Sequence, residues 1–227
     1  MKIGKLIVIE GASDGIGKST QIDQLKSHLE ADGAKIVSHH FPTYYSYQGK
    51  GVEKYLAGEY GTPEELSPYF INNLYAYDRA VTWRVKLKDL YRKGRTILLD
   101  RYTTSSLIYQ SALIEGKENK KNFLDFVIDF EYNKLGIQQP DIVIFLHAPF
   151  ELVTKMRQAR SENEGITNDI HERDLKFLQK VYENAMFVAK YLGWTMINCA
   201  TQDGKKMRSI NSIHKEIYEK VITANNK

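Results

Sequence analysis

The segment from Lys5 to Thr20 limits what this chain can fold into more than any other. An apolar run, Leu6 to Ile9, leads into Glu10-Gly11-Ala12-Ser13-Asp14-Gly15-Ile16-Gly17-Lys18-Ser19-Thr20, and a helical pattern starts at Lys18. A strand that feeds a glycine-rich turn and then a helix is the setting of a phosphate-binding loop. Glycines let backbone N–H groups curl around phosphate oxygens, and the helix N-terminus adds partial positive charge. In such a loop Lys18 neutralises β- and γ-phosphates and Ser19 ligates a divalent cation. The strict spacing asks for glycine five residues before Gly17, where Ala12 stands; Gly11 is six before. Either Ala12 fills that first position or the loop bulges near Ala12-Ser13.

Four more β-rich runs follow, Lys35–His39, Thr96–Asp100, Asp141–Leu146 and Thr195–Cys199, after a first at Lys5–Glu10. Near-continuous apolar strands separated by helices predict an α/β fold with a five-stranded parallel sheet covered on both faces. The chain has 227 residues, enough for one domain, and we read 1–227 as a single domain because no linker, repeat or low-complexity tract interrupts it. The hydrophobic content of 42% with 26% charged residues excludes a disordered chain. No apolar run reaches the roughly 18 residues of a membrane span, and the N-terminal stretch is too short for a signal peptide, so a cytoplasmic location is expected. The single cysteine, Cys199, excludes an intramolecular disulfide and a Cys-rich metal site. A net charge of +4 does not argue for nucleic acid and suits anionic small molecules.

Helices are expected at 18–31, with Ile22, Leu25 and Leu29 on one face, and in the long connection between the second and third strands. There Thr62-Pro63-Glu64-Glu65 has the form of a helix start, and Ser67-Pro68 of a second one. The apolar positions Phe70, Leu74, Tyr77, Val81 and Val85 recur at helical spacing after it. The polar stretch Ser161–Asn168 reads as a mobile loop between two helical segments. The third strand ends in Asp100-Arg101-Tyr102. An acid at the carboxyl end of an apolar strand is placed to organise Mg²⁺ in a phosphate-binding fold, and Arg101 enters the same crevice.

With these residues in view the chain resembles the thymidylate kinases, P-loop enzymes that phosphorylate dTMP with ATP. The resemblance runs through Glu10-Gly11, Asp14-Gly15 and Gly17-Lys18-Ser19-Thr20, then Phe41-Pro42, Tyr75-Ala76-Tyr77-Asp78-Arg79 and Asp100-Arg101-Tyr102. It continues through Ser105-Ser106, Tyr109, Pro140-Asp141 and Asn168-Asp169-Ile170-His171-Glu172-Arg173-Asp174. It implies a P-loop NTPase three-layer sandwich with a mobile lid at about 157–172. It implies ATP binding by Gly11, Asp14, Gly15, Ile16, Gly17, Lys18, Ser19 and Thr20, and Mg²⁺ held by Ser19, Asp14, Asp100 and Glu172. Arg79 is expected to hold the phosphate of dTMP and Tyr75 to stack on thymine. Ser105, Ser106 and Tyr109 would line the base and sugar pocket, with Phe41 and Tyr44 beside the deoxyribose. Lys18, Asp100, Arg101 and a lid arginine, Arg160 ahead of Arg157 and Arg173, form the expected catalytic set. His171 is expected to be structural. A homodimer is the family expectation.

The chemistry needs no general base, because the attacking phosphate oxygen is already anionic; positioning and charge neutralisation carry it. The alternative is a deoxynucleoside kinase or another nucleotide kinase on the same scaffold. A nucleoside kinase must activate a neutral hydroxyl, and no Glu-Arg-Ser-like run follows the third strand here. A regulatory module that binds nucleotide without turnover is the second alternative, and the full set of Lys18, Asp100, Arg101 and lid arginines argues against it.

Overall fold

The computed structural model describes residues 4–13, 15–156 and 175–225. Five strands, β1 Leu6–Gly11, β2 Ile36–His40, β3 Thr96–Asp100, β4 Ile142–His147 and β5 Thr195–Asn198, form one parallel sheet in the order β2-β3-β1-β4-β5. Each expected strand is present, with ends moved by one residue at most. The helices are α1 Lys18–Ala31, α2 Lys50–Leu56, α3 Pro68–Thr82, α4 Lys88–Arg92, α5 Thr103–Ala112, α6 Lys117–Ile128, α7 Leu175–Tyr191 and α8 Ile210–Asn225. Residues 150–156 are also helical. Two π-helical segments, Trp83–Leu87 and Asp129–Lys134, continue α3 and α6.

β1 lies at the centre and all six of its residues are buried. Its side chains alternate between two cores, as the period of two in a strand requires. Ile7 and Ile9 pack with Ile22, Leu25 and Leu29 of α1 and with Ile213, Ile217 and Val221 of α8. Leu6 and Val8 pack on the opposite face with Trp83, Leu87 and Tyr91. The stripe expected on α1 is therefore the one that is buried; each such leucine contributes about 1.5–3 kcal/mol by leaving water.

The register sets up the crevice. Ile9 pairs with Asp100, and His40 of β2 pairs with the same residue from the other side. The chain reverses direction across the sheet between β3 and β1, where ligands bind in open α/β sheets. Asp100 and the turn after β1 meet there.

One helix expectation changes. Thr62–Glu65 forms a turn and not a helix, although Glu65 accepts the Thr62 N–H at 2.8 Å, the hydrogen bond a capping box would make. A helix forms earlier instead, at α2. The second start is as expected: Ser67 caps α3 by accepting the Tyr69 N–H at 3.3 Å, with Pro68 in the first turn. Three of the five apolar residues at helical spacing there face outward. Phe70 is 44% exposed, Tyr77 45% and Val85 67%. The buried side carries Ile71, Asn72, Ala76, Asp78, Arg79 and Thr82; its polar members bond to neighbouring segments, Asp78 and Thr82 to the loop after β2 and Arg79 to Glu131.

Candidate active site

The phosphate loop shows where its glycines are needed. β1 runs through Gly11, and the Ala12 N–H donates to the Leu146 carbonyl at 2.9 Å, so Ala12 still lies along the sheet. Its methyl group packs with α5 and α7 residues. A Cβ on Gly11 would come within 2.9 Å of Ile16 Cγ2 and 3.2 Å of Lys18 Cδ. Gly11 thus lets the Lys18 stem fold back over the strand end. Gly15 and Gly17 take φ of +84° and +95°, the left-handed region that favours glycine. No side chain caps α1 at Gly17 and no acid occupies its first turn, a charge pattern that favours an anion at this helix end. Lys18 is buried, while Ser19 and Thr20 are exposed at the helix start.

Asp100 accepts a hydrogen bond from His40 Nδ1 at Oδ2, 2.9 Å away. Burial alone would raise its pKa; the His40 hydrogen bond and the charges of Lys18, His40 and Arg101 outweigh that and hold the carboxyl below its ordinary range. Its other oxygen, Oδ1, is buried with no protein partner. Arg101 follows in the left-handed region at φ +64°, a conformation that costs a residue other than glycine about 1–3 kcal/mol and clusters at functional sites. Its guanidinium lies 3.6 Å from Glu10 Oε1 and 5.6 Å from the Tyr109 ring centre.

Glu10 is a site residue the sequence reasoning did not single out. It is fully buried, and its carboxylate accepts from Thr104 Oγ1 at 2.8 Å, Ser105 Oγ at 2.6 Å and the Gly11 N–H at 3.0 Å. It joins the head of the phosphate loop to the start of α5 and to Arg101. Its place before Gly11 was visible, but its partners lie more than ninety residues away in sequence.

A cavity opens beside Arg101, and the eight residues expected around the monophosphate all line it. Phe41 and Tyr44 come from the loop after β2, Tyr75 and Arg79 from one turn of α3, and Ser105, Ser106 and Tyr109 from α5, with Arg101 at one end. Pro42, Leu56, Tyr102, Gln110 and Leu178 complete the wall. The β2 loop is fixed to α3 by Asp78, which accepts the Thr43 N–H at 2.7 Å, and by Thr82, which accepts from Gln48 Nε2 at 3.0 Å.

Arg79 stands in a different environment from the one a phosphate clamp needs. It is 1% exposed and donates through Nε and Nη2 to the two oxygens of Glu131, at 2.7 and 2.6 Å. Nη2 also donates to Ser106 Oγ at 2.8 Å, and Nη1 to the Tyr102 carbonyl at 3.4 Å. Burial disfavours its charge, but the Glu131 charge and hydrogen bonds win and raise its pKa. A phosphate dianion there would compete with Glu131 for a cation already matched. Glu131 was not anticipated; in sequence it resembles the polar residues around it.

Asp14, the lid span 157–172 with Arg157, Arg160, His171 and Glu172, and Arg173 lie outside the described residues. Among the described residues no cluster of three or more His, Cys, Asp or Glu is arranged to hold a metal, and no helix is long and apolar enough to cross a membrane.

A five-stranded parallel sheet, a glycine loop opening a helix beneath a strand-end aspartate, and an arginine-bearing cavity alongside define a P-loop kinase. A family model described as Thymidylate kinase matches residues 9–217. The chain belongs to the thymidylate kinase family. It is 31% identical over 230 residues to a thymidylate kinase of Prochlorococcus marinus subsp. pastoris, covering 96% of this chain and 95% of that one. A thymidylate kinase of Mycobacterium tuberculosis is 30% identical over 177 residues, 77% of this chain and 81% of that one. The solved thymidylate kinase of Candida albicans has the same fold, with a TM-score of 0.69 at 23% identity over 99% of this chain and 93% of that one. The protein is a phosphotransferase that phosphorylates dTMP.

Proposed function

We propose that the γ-phosphoryl of ATP, held on the loop Gly11–Thr20, passes in line to dTMP lying in the adjacent cavity with its phosphate toward Arg101 and its base toward Arg79 and Ser106. The observation that carries this is the contrast between the two arginines. Arg101 sits beside the phosphate loop at 3.6 Å from Glu10, whereas Arg79 is fully buried and doubly bonded to Glu131. The expected roles are revised accordingly: Arg101 takes the phosphate, and Arg79 faces a neutral edge of the base. Tyr75 stacks on the ring, and Phe41, Tyr44, Ser105 and Tyr109 border the sugar side.

The loop fits Mg²⁺. The unpartnered, ionised Oδ1 of Asp100 and the exposed hydroxyl of Ser19 are hard oxygen donors next to the phosphate site. Few protein ligands are needed, because this ion keeps waters and phosphate oxygens. When bound, it draws charge from the β- and γ-phosphates. His40 orients Asp100, Lys18 neutralises the transferring group, and Glu10 holds Arg101 in place. Asp14 and Glu172 belong to the proposed metal set, and Arg160 to the catalytic set, by sequence position. We also propose a cytoplasmic homodimer, joined through the outward residues Phe70 and Tyr77 of α3 and Val85 of the π-helical segment that continues it.

Binding of dTMP and of thymidine to two variants tests the arrangement. Arg101→Ala should weaken dTMP roughly 10²-fold while sparing thymidine, which has no phosphate. Ser106→Ala, which leaves the Arg79–Glu131 pair whole, should weaken both by one common factor. A Ser106→Ala that affects only dTMP would reverse the assigned orientation.

A further inference from the structure

Glu131 is a buried charge that phosphoryl transfer does not call for. We propose that Glu131 is a specificity-determining positioning residue: it locks Arg79 and cancels its charge, so that the deep end of the cavity accepts an uncharged base carbonyl and rejects anions and 4-amino bases. The inference rests on the reading of the cavity as the monophosphate pocket.

Three observations support it. The first is geometric. The carboxylate engages two different guanidinium nitrogens, at 2.7 and 2.6 Å, and a two-point fork fixes the plane of the group as one bond would not. Glu131 is itself held by Thr103, whose hydroxyl donates to Oε2 at 2.9 Å. The orientation of Arg79 thereby descends from the first residue of α5, the helix that carries Ser106. The second observation is the backbone. Glu131 is the buried residue of the π-helical segment Asp129–Lys134. Such segments are rare and concentrate at functional sites. The third is energetic. Both side chains are at most 2% exposed. A buried ion pair seldom stabilises a fold more than apolar residues of the same volume, so stability alone does not account for one here.

The fork has a consequence for Ser106. Arg79 Nη2 donates to its oxygen at 2.8 Å, so the hydroxyl proton of Ser106 is turned away from the arginine and left to donate. Ser106 lines the cavity, and a donor there suits the carbonyl at position 4 of thymine or uracil and opposes the amino group of cytosine. Without the negative partner, Arg79 would regain freedom to turn and an unmatched positive charge.

The test is steady-state kinetics on Glu131→Gln at saturating ATP, with dTMP and dCMP as acceptors and thymidine and inorganic phosphate as competitors. The KM for dTMP should rise about tenfold with kcat changed less than about threefold. The dTMP over dCMP preference should fall by roughly tenfold. Thymidine should weaken by the same factor as dTMP, and phosphate should become a better competitor. A folded variant with unchanged preference, or one losing kcat alone, would overturn the proposal. Should Glu131→Gln not fold, Thr103→Val decides, since it removes one hydrogen bond to Glu131 and keeps the ion pair. The same shifts, about two- to fivefold, are expected, and an unchanged preference would again overturn it. Wild-type enzyme without dTMP turnover would sink the pocket assignment itself, whereas normal wild-type turnover with an indifferent variant sinks only the role of Glu131.

Discussion

At the scale of single residues the proposed site separates groups assigned to phosphate from groups assigned to the base end of the cavity. Lys18 is proposed for the first kind: its stem crosses Gly11 and its charge acts beside Asp100. Lys18→Ala should lower kcat by roughly 10²–10³-fold in a coupled turnover assay, with far less effect on unfolding. Arg79 is proposed for the second kind, paired with Glu131. Arg79→Ala leaves Glu131 charged and buried, and should cost about 3–5 kcal/mol of stability in chemical denaturation. The sequence made the first kind legible, because a glycine loop and a strand-end acid carry their spacing with them. The roles of Glu10, Glu131 and Asp78 were not legible, since each is defined by partners brought in by the fold. Asp78 was seen only as the neighbour of Arg79, yet it fastens the loop that presents Phe41 and Tyr44.

At the scale of elements the strands were read closely because an apolar run of five or six residues has few other uses in an α/β chain. α3 shows what a helical period leaves open. Its apolar period is real, but Phe70, Tyr77 and Val85 lie outward, while the inner side mixes Ile71 and Ala76 with polar residues that bond to the β2 loop and to Glu131. Periodicity reports a stripe and not what the stripe meets. The packing of α5 on α7 gives a separate test. Asn184 of α7 is 3% exposed, donates to the Ile108 carbonyl and to Ser111 Oγ, each at 2.7 Å, and accepts from Lys120 at 2.9 Å. Asn184→Ala should destabilise by about 1–3 kcal/mol in thermal or denaturant unfolding, by leaving these groups unpaired. At the end of β5, Cys199 is fully buried and its thiol is pushed up to about 12 by burial. It should resist a thiol reagent in the native state and react at once on unfolding.

At the scale of the whole molecule, pH and association come in. His39 is held neutral in the fold: burial first, then the Lys86 charge, lowers its pKa from 6.5 to about 4. The unfolded chain takes up that proton more readily, so this contribution to stability is present above pH 6.5 and is lost as pH falls from 6.5 toward about 4. Denaturant midpoints measured across that window should decline, and His39→Gln should flatten the decline. The outward residues Phe70, Tyr77 and Val85 predict a dimer twice the 26.2 kDa chain mass, and Val85→Glu should yield a monomer in analytical ultracentrifugation. The central claim concerns what the cavity accepts, and turnover by the wild-type chain with ATP across dTMP, UMP, dCMP and thymidine tests it most directly. The account predicts rapid phosphorylation of dTMP, little of UMP, whose 2′-hydroxyl crowds the Tyr44 and Tyr109 side, little of dCMP, and none of thymidine. Thymidine phosphorylated as well as dTMP, or UMP used equally, would contradict it.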